Sequence, residues 1–254
     1  MNGIADDPVT RLRGVGPKLA GKLAEIGIEK VEDLLFHLPL RYQDRTRITP
    51  LGALQVGADA VIEGEVKLAD IAFGRRRSLV CRLQDGSGTI SLRFFHFTAA
   101  QRRGLAPGTR LRCYGEVRRG ASGLEIYHPE YRQLAADLEA PVEETLTPVY
   151  PTTAGIGQST WRKLCGAALA HLGSSPPASL LPGDSGNRPS LSEALTFLHA
   201  PPPEAPQGLI ADGAHPAQRR LALEEFVAHN LSLEKLRRQE RQRGAPRILS
   251  LIHI

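Results

Sequence analysis

The chain has 254 residues, 41% of them hydrophobic, a balance that fits a globular protein of two or three units and excludes a disordered one. No apolar run approaches the ~20 residues of a membrane span, the N-terminus lacks the basic-then-apolar pattern of a secretory signal, and three scattered cysteines (Cys81, Cys113 and Cys165) argue against a disulfide framework or a zinc site. The net charge of +5 sits in one stretch: Asp59 to Arg132 holds 13 Lys and Arg against 8 Asp and Glu, and the remainder balances at 19 of each. Such a localised basic excess is the electrostatic footprint of a polyanionic partner.

Residues 1–50 read as helical, with Leu19, Leu23 and Ile26 at helical spacing, then Val31, Leu34 and Leu35 before Pro39. Arg13-Gly14-Val15-Gly16-Pro17-Lys18 precedes the first helix. Gly14 and Gly16 allow a tight turn, and with Lys18 beside free helical N–H groups it either holds a phosphate or simply joins two helices. It resembles the hairpin of helix-hairpin-helix DNA-binding elements, and Gly155-Ile156-Gly157 repeats the pattern. Gly16 to Leu23 nearly matches a nucleotide P-loop. Leu23, however, stands where Ser or Thr must ligate magnesium, and no buried strand precedes it, so no ATP site is expected in this chain.

From 51 to 135 the period changes to two. Five strands are expected: Ala60 to Leu68, Ser78 to Leu83, Thr89 to Phe95, Thr109 to Val117 and Leu124 to Tyr127, with a short helix from Thr98 to Arg103. Three strands, a helix and two strands is the order of an OB-fold barrel. Asp85-Gly86-Ser87-Gly88 is a tight turn between the second and third strands. Three of the seven phenylalanines, Phe94, Phe95 and Phe97, close the third strand around His96. Alternation sends Ile90, Leu92 and Phe94 to the core and Arg93 and Phe95 outward. An outward Phe95 beside arginines is either a stacking surface for a nucleobase or a ring covered by another part of the chain. His96 is a polar or stacking contact rather than a catalytic base. Arg75, Arg76 and Arg77 form one hairpin tip, Arg118 and Arg119 another, and Arg93, Arg102 and Arg103 complete the set. Arginines in such places serve solubility or hold phosphates. No metal-binding or catalytic constellation is evident.

Residues 136–216 are rich in Pro and Gly and read as an extended strut with short helices, Gln158 to Leu172 and Ser190 to Leu198. A long helix follows over 217–248, with Leu223, Phe226, Val227 and Leu231 as its apolar stripe. The fold class is therefore α+β: a helical N-terminal segment, a five-stranded OB-fold barrel, an extended and helical linker, and a long C-terminal helix.

Several stretches carry a family likeness: Leu34 to Thr46 (LLFHLPLRYQDRT), Asp85 to Gly88, Arg93 to Phe97 (RFFHF), His128 to Tyr131 (HPEY), Thr147 to Thr153 (TPVYPTT) and His215 to Leu221 (HPAQRRL). In this order, from about Pro8 to Arg238, they make the chain similar to the N-terminal portion of the RecG family of bacterial ATP-dependent helicases, which remodel stalled forks and Holliday junctions. The resemblance implies an OB-fold wedge lodged at a DNA branch point, splitting the parental duplex while aromatic rings stack on the separated bases. It places the leading stacking ring at Phe95 and a second at Phe97 or His96. It implies branched DNA as partner, a connector helix leading to two motor lobes, and ATP and Mg²⁺ in those lobes rather than here. A monomer without membrane attachment, in a reducing cytoplasm, inactive alone as an ATPase, is expected. Leu249 to Ile254 departs from the family pattern and equals one reading frame of a transposon-end sequencing adaptor, so those six residues are expected to be non-native and the motor lobes to be missing after 248. Two other readings remain open: a general single-strand-binding OB-fold protein and a protein-interaction module.

Overall fold

The computed structural model describes residues 7–73, 76–120, 123–135, 141–152, 155–173, 176–181 and 188–242. Arg75 and the 249–254 tail lie outside the described residues. In chain order the elements are α1 (Pro17–Ala24), α2 (Val31–Phe36), β1 (Arg41–Gln43), β2 (Asp59–Ala72), β3 (Ser78–Gln84), β4 (Thr89–Phe94), α3 (Ala99–Gly104), β5 (Arg110–Gly120), β6 (Gly123–Tyr127), β7 (Glu130–Gln133), β8 (Thr147–Val149), α4 (Gln158–Leu172), α5 (Leu191–His199), α6 (Gln207–Ala211) and α7 (Pro216–Gln242). The α+β class expected from the sequence is the one found. The chain packs as two units, one over Gln43–Thr147 and one from the residues before and after it.

Alternation of apolar and polar residues builds the inserted unit. β2 pairs with β3, β3 with β4, β4 with β6, β6 with β5, and β5 again with β2, so the pairing runs round a ring of five strands. β7, absent from the sequence reading, adds to β5. Ile62, Val66, Leu79, Leu83, Leu92, Leu111 and Ile126 are fully buried inside the ring, each worth about 1.5–3 kcal/mol relative to exposure. β2 is longer than its apolar alternation suggests. It pairs with β5 up to Glu65 and then, past a bulge between Val66 and Leu68, continues with β3 alone as a hairpin. A bulge of this kind bends the strand and increases its twist. The opposite turn is locked by Asp85, whose carboxylate accepts from the N–H groups of Leu51, Ser87 and Gly88 and from the Ser87 hydroxyl. These bonds hold its pKa down to about 2, against the burial that would raise it. A Cβ on Gly88 would come within 2.9 Å of the Gly52 nitrogen, so only glycine fits there.

One expectation is corrected here. Arg93 does not stand free on the surface. Its Nε and Nη2 donate to the two oxygens of Glu125 at 2.8 and 2.7 Å, and Nη1 donates to Ser78 Oγ at 3.0 Å. Glu125 is 1% exposed, and the guanidinium beside it lowers its pKa. A buried carboxylate needs a cation and hydrogen bonds to remain charged, and Arg93 supplies both. It is therefore an internal clamp between β4 and β6 rather than a phosphate contact.

In the other unit, the sequence reading separates residues 1–50 from 136–216, yet α1 and α2 share one core with α4, α5 and the start of α7. Each of these helices has a single apolar face, and burying it requires the others. Trp161, Leu23, Leu34, Ala194 and Leu195 are fully buried there, and His37 stacks on Trp161 at 4.1 Å and 22°. His199, 2% exposed, donates from Nε2 to the Leu35 carbonyl (2.8 Å) and accepts at Nδ1 from the Tyr150 hydroxyl (2.9 Å). In α7 only Ala217, Arg220, Leu221 and Glu224 are buried. Glu224 accepts from Arg220 and from the Leu180 N–H, and Arg220 also donates to Ser179 Oγ at 2.9 Å, which ties the 179–180 segment to the helix.

Two outcomes follow from this packing. Arg93→Ala leaves Glu125 buried and unpaired, and chemical denaturation should register a loss of about 3 kcal/mol in the barrel unit. His199 is bonded as the neutral ring, and burial lowers its pKa and that of His37. Their contribution is complete above the unfolded value of about 6.5 and is lost as pH falls below it. The melting temperature of the helical unit should therefore drop from about pH 7.5 to about pH 5.5, with a shallower dependence in His199→Gln.

Candidate nucleic-acid interface

Strand register gathers the candidate residues at one end of the sheet. β3 and β4 run antiparallel with Leu79 opposite Phe94, and β4 and β6 run parallel with Arg93 opposite Tyr127. The start of β3, just after Arg76 and Arg77, therefore lies beside the end of β4, where Phe95, His96 and Phe97 follow. The end of β6, where His128 follows Tyr127, lies on the other side.

Phe94 fills the core at 2% exposure, and Phe95 lies on the outer side, as alternation requires. Phe95 is nevertheless half-buried and does not jut free. Its ring leans edge-on against Tyr127 (5.5 Å, 74°) and lies 5.6 Å from His128, and its N–H donates to His128 Nε2 at 3.2 Å. His96 is exposed and stacked over His128 at 6.0 Å and 24°. Phe97 is half-buried against the barrel core, with the Arg77 guanidinium 5.2 Å over its ring. Arg118 stands 5.6 Å over Tyr127. His128 holds φ at 46°, in the left-handed region, and its N–H donates to the Arg93 carbonyl at 2.9 Å. A non-glycine residue there costs on the order of 1 kcal/mol, and such outliers cluster at functional sites. The result is a graded aromatic surface in which Phe95 leans on Tyr127 and His128, edged by guanidinium groups.

The arginines divide by position. Arg76, Arg77, Arg102 and Arg103 are exposed and have no acidic partner among the described residues. Arg102 and Arg103 occupy the last turn of α3, whose N-cap Thr98 follows the aromatic segment directly. Arg118 is exposed and shares an ion pair with Glu116 at 2.6 Å. Arg119, opposite Leu124, lies toward the far tip of the β5–β6 hairpin, on the opposite face of its strand from Arg118. Gly14, Gly16 and Lys18 belong to the other unit. Gly14 has φ of 92°, Gly16 caps α1 with Pro17 as its first residue, and Lys18 is exposed. The P-loop look-alike is itself helical, and Leu23 within it is wholly buried. Among the described residues no His, Cys, Asp and Glu cluster could hold a metal ion, and no helix is long and apolar enough to cross a membrane.

Tyr127 and His128 were not among the sequence candidates. They reach Phe95 because β4 and β6 pair in parallel, a long-range contact that no local periodicity reveals. The OB-fold strand order carries that pairing and was the available signal.

Comparison with known proteins gives a consistent result. The chain is 50% identical over 232 residues to the ATP-dependent DNA helicase RecG of Escherichia coli (strain K12), covering 91% of this chain and 33% of that protein. It is 47% identical over 231 residues to the RecG of Haemophilus influenzae, again covering 91% of this chain and 33% of the relative. The chain thus spans about a third of the length of these curated relatives. A solved structure of RecG bound to a three-way DNA junction matches with a TM-score of 0.69 and 25% identity, over 96% of this chain and 33% of that one. The model of the RecG wedge domain covers residues 8–172, well over half of the sequence, and the chain accordingly belongs to the RecG wedge domain family.

Proposed function

We propose that this chain is the branched-DNA-binding wedge portion of a helicase that reverses forks and migrates Holliday junctions during DNA repair and recombination. One observation carries the reading: Phe95, resting on Tyr127 and His128, emerges at the end of β4 between Arg77 on the neighbouring strand end and Arg102 and Arg103 on α3, which have no acidic partner among the described residues. The similarity to a RecG solved on a three-way junction supports branched DNA as the partner.

The chemistry divides into holding and parting. Arg76, Arg77, Arg102, Arg103, Arg118 and Arg119, with Arg75, hold phosphates, giving salt-dependent affinity with little sequence preference. Phe95 caps the last base pair at the branch, and Phe97 or His96 receives a neighbouring base. Stacking is worth about 1–3 kcal/mol per base, comparable with the roughly 1.4 kcal/mol mean stacking of one duplex step. The wedge therefore offsets the opening of about one pair and relies on a motor for the remainder. Hydrolysis of ATP with Mg²⁺ belongs to the part of the longer relatives that this chain does not match, since its own near-P-loop is helical and buries Leu23 where a Ser or Thr would ligate magnesium. The turn at Gly14, Gly16 and Lys18 is a secondary phosphate site, and the protein works as a monomer in the cytoplasm.

Phe95→Ala should weaken binding to a three-way junction by about tenfold and plain duplex much less, in fluorescence-anisotropy titrations. Equal losses on both substrates would remove the wedge assignment. Competition between forked DNA and a single-stranded oligonucleotide should favour the fork, and preference for the oligonucleotide would point to a general single-strand binder. Replacing Arg76 or Arg102 by Gln should weaken binding uniformly across sequences and reduce the slope of log affinity against log salt by about 0.9 per phosphate contact.

A further inference from the structure

Phe73 is 84% exposed, the most exposed large hydrophobic side chain among the described residues. It stands one residue beyond β2, at the turn end of the β2–β3 hairpin, past the bulge at Val66–Leu68 and beyond the stretch that pairs with β5. Ala72 is opposite Ser78 in the β2–β3 ladder, so the next antiparallel position sets Phe73 across from Arg77. The Arg77 guanidinium in turn lies over the Phe97 ring at 5.2 Å. Phe73, Arg77 and Phe97 thus lie across three successive strand ends. With strands about 4.8 Å apart, Phe73 is two spacings, or about 10 Å, from the aromatic segment after β4.

We propose that Phe73 is a further base-stacking site, separate from the segment after β4, one that takes an unpaired base of a DNA single strand after it leaves the branch. The inference rests on the wedge reading and extends it along the strand. An exposed phenylalanine on its own fits an apolar protein groove equally well. Here it stands beside Arg76 and Arg77, exposed and without acidic partners among the described residues. The nearest described acid on the hairpin, Asp70, lies opposite Val80, further down the ladder. Burying such a site in an apolar groove would strip water from two unpaired guanidinium groups. A single strand meets both needs at once, with a flat base for the ring and phosphates for the arginines. At a rise of about 3.4 Å per stacked nucleotide, about 10 Å places the Phe73 base roughly three nucleotides from the one on Phe95.

The test compares two three-way junctions, identical except that one arm is single-stranded in the first and duplex in the second. Phe73→Leu keeps an apolar side chain on an exposed site and removes the flat ring. It should weaken the single-stranded-arm junction by about tenfold and the all-duplex junction by less than about twofold. A 2-aminopurine placed about three nucleotides from the branch should be quenched by the native chain and recover fluorescence with Phe73→Leu. Unchanged binding to both junctions, or equal losses on both, would overturn the inference. Phe95→Ala in the same titration separates the two ideas. If it weakens both junctions while Phe73→Leu weakens neither, the hairpin site falls and the wedge stands; if neither variant alters junction binding, both fall.

Discussion

A single partly buried ion pair organises the business end of the barrel. β4 and β6 share only three residue pairs, in the parallel arrangement that is the weaker one per residue. Arg93 reinforces the junction by gripping Glu125 with two hydrogen bonds and reaching Ser78 on β3 with a third. Three strands are thereby pinned within one side chain's reach, one or two residues before the aromatic segment begins. Tyr127, two residues after Glu125 on β6, lies opposite Arg93 in the same ladder. The ring that supports Phe95 thus stands on the strand that this ion pair ties to β4.

That coupling explains why the aromatic surface is neither fully exposed nor buried. A ring projecting freely into water samples many rotamers and loses that freedom when a base lands on it. Phe95 has already surrendered much of it to Tyr127 and His128, while a half-open ring remains outside the core. The left-handed backbone at His128 is the local strain that accompanies this arrangement, and the bonds on its N–H and ring nitrogen help to hold it.

Local period carried most of the barrel: the strand order, the Asp85 turn and the inward Phe94 were all legible in the sequence. Features set by distant partners were not. Arg93 looks like a surface cation because its carboxylate lies 32 residues away, on a strand whose neighbour is chosen by topology. Tyr127 and His128 were hidden for the same reason. The helical core was hidden more deeply still. Cys165 donates to the carbonyl of Leu34, 131 residues earlier, and neither flanking segment shows in isolation that it needs the other. Phe73 escaped notice because a lone aromatic at a strand end breaks no pattern, and only its 84% exposure sets it apart.

The barrel is threaded into the middle of the chain that builds the helical unit, entering at Gln43 and leaving at Thr147. This arrangement imposes a schedule on a growing polypeptide. Leu23 and Leu34 emerge early with their apolar faces uncovered and wait for Trp161 and Leu195, more than a barrel's length of synthesis later. Meanwhile the inserted segment can complete its own ring of strands. Once folded, it shortens the effective loop that the helices must close, where an unstructured insert would add entropy growing with the logarithm of its length. A defect that delays the barrel would therefore first be felt as prolonged exposure of the helical half to proteases and aggregation.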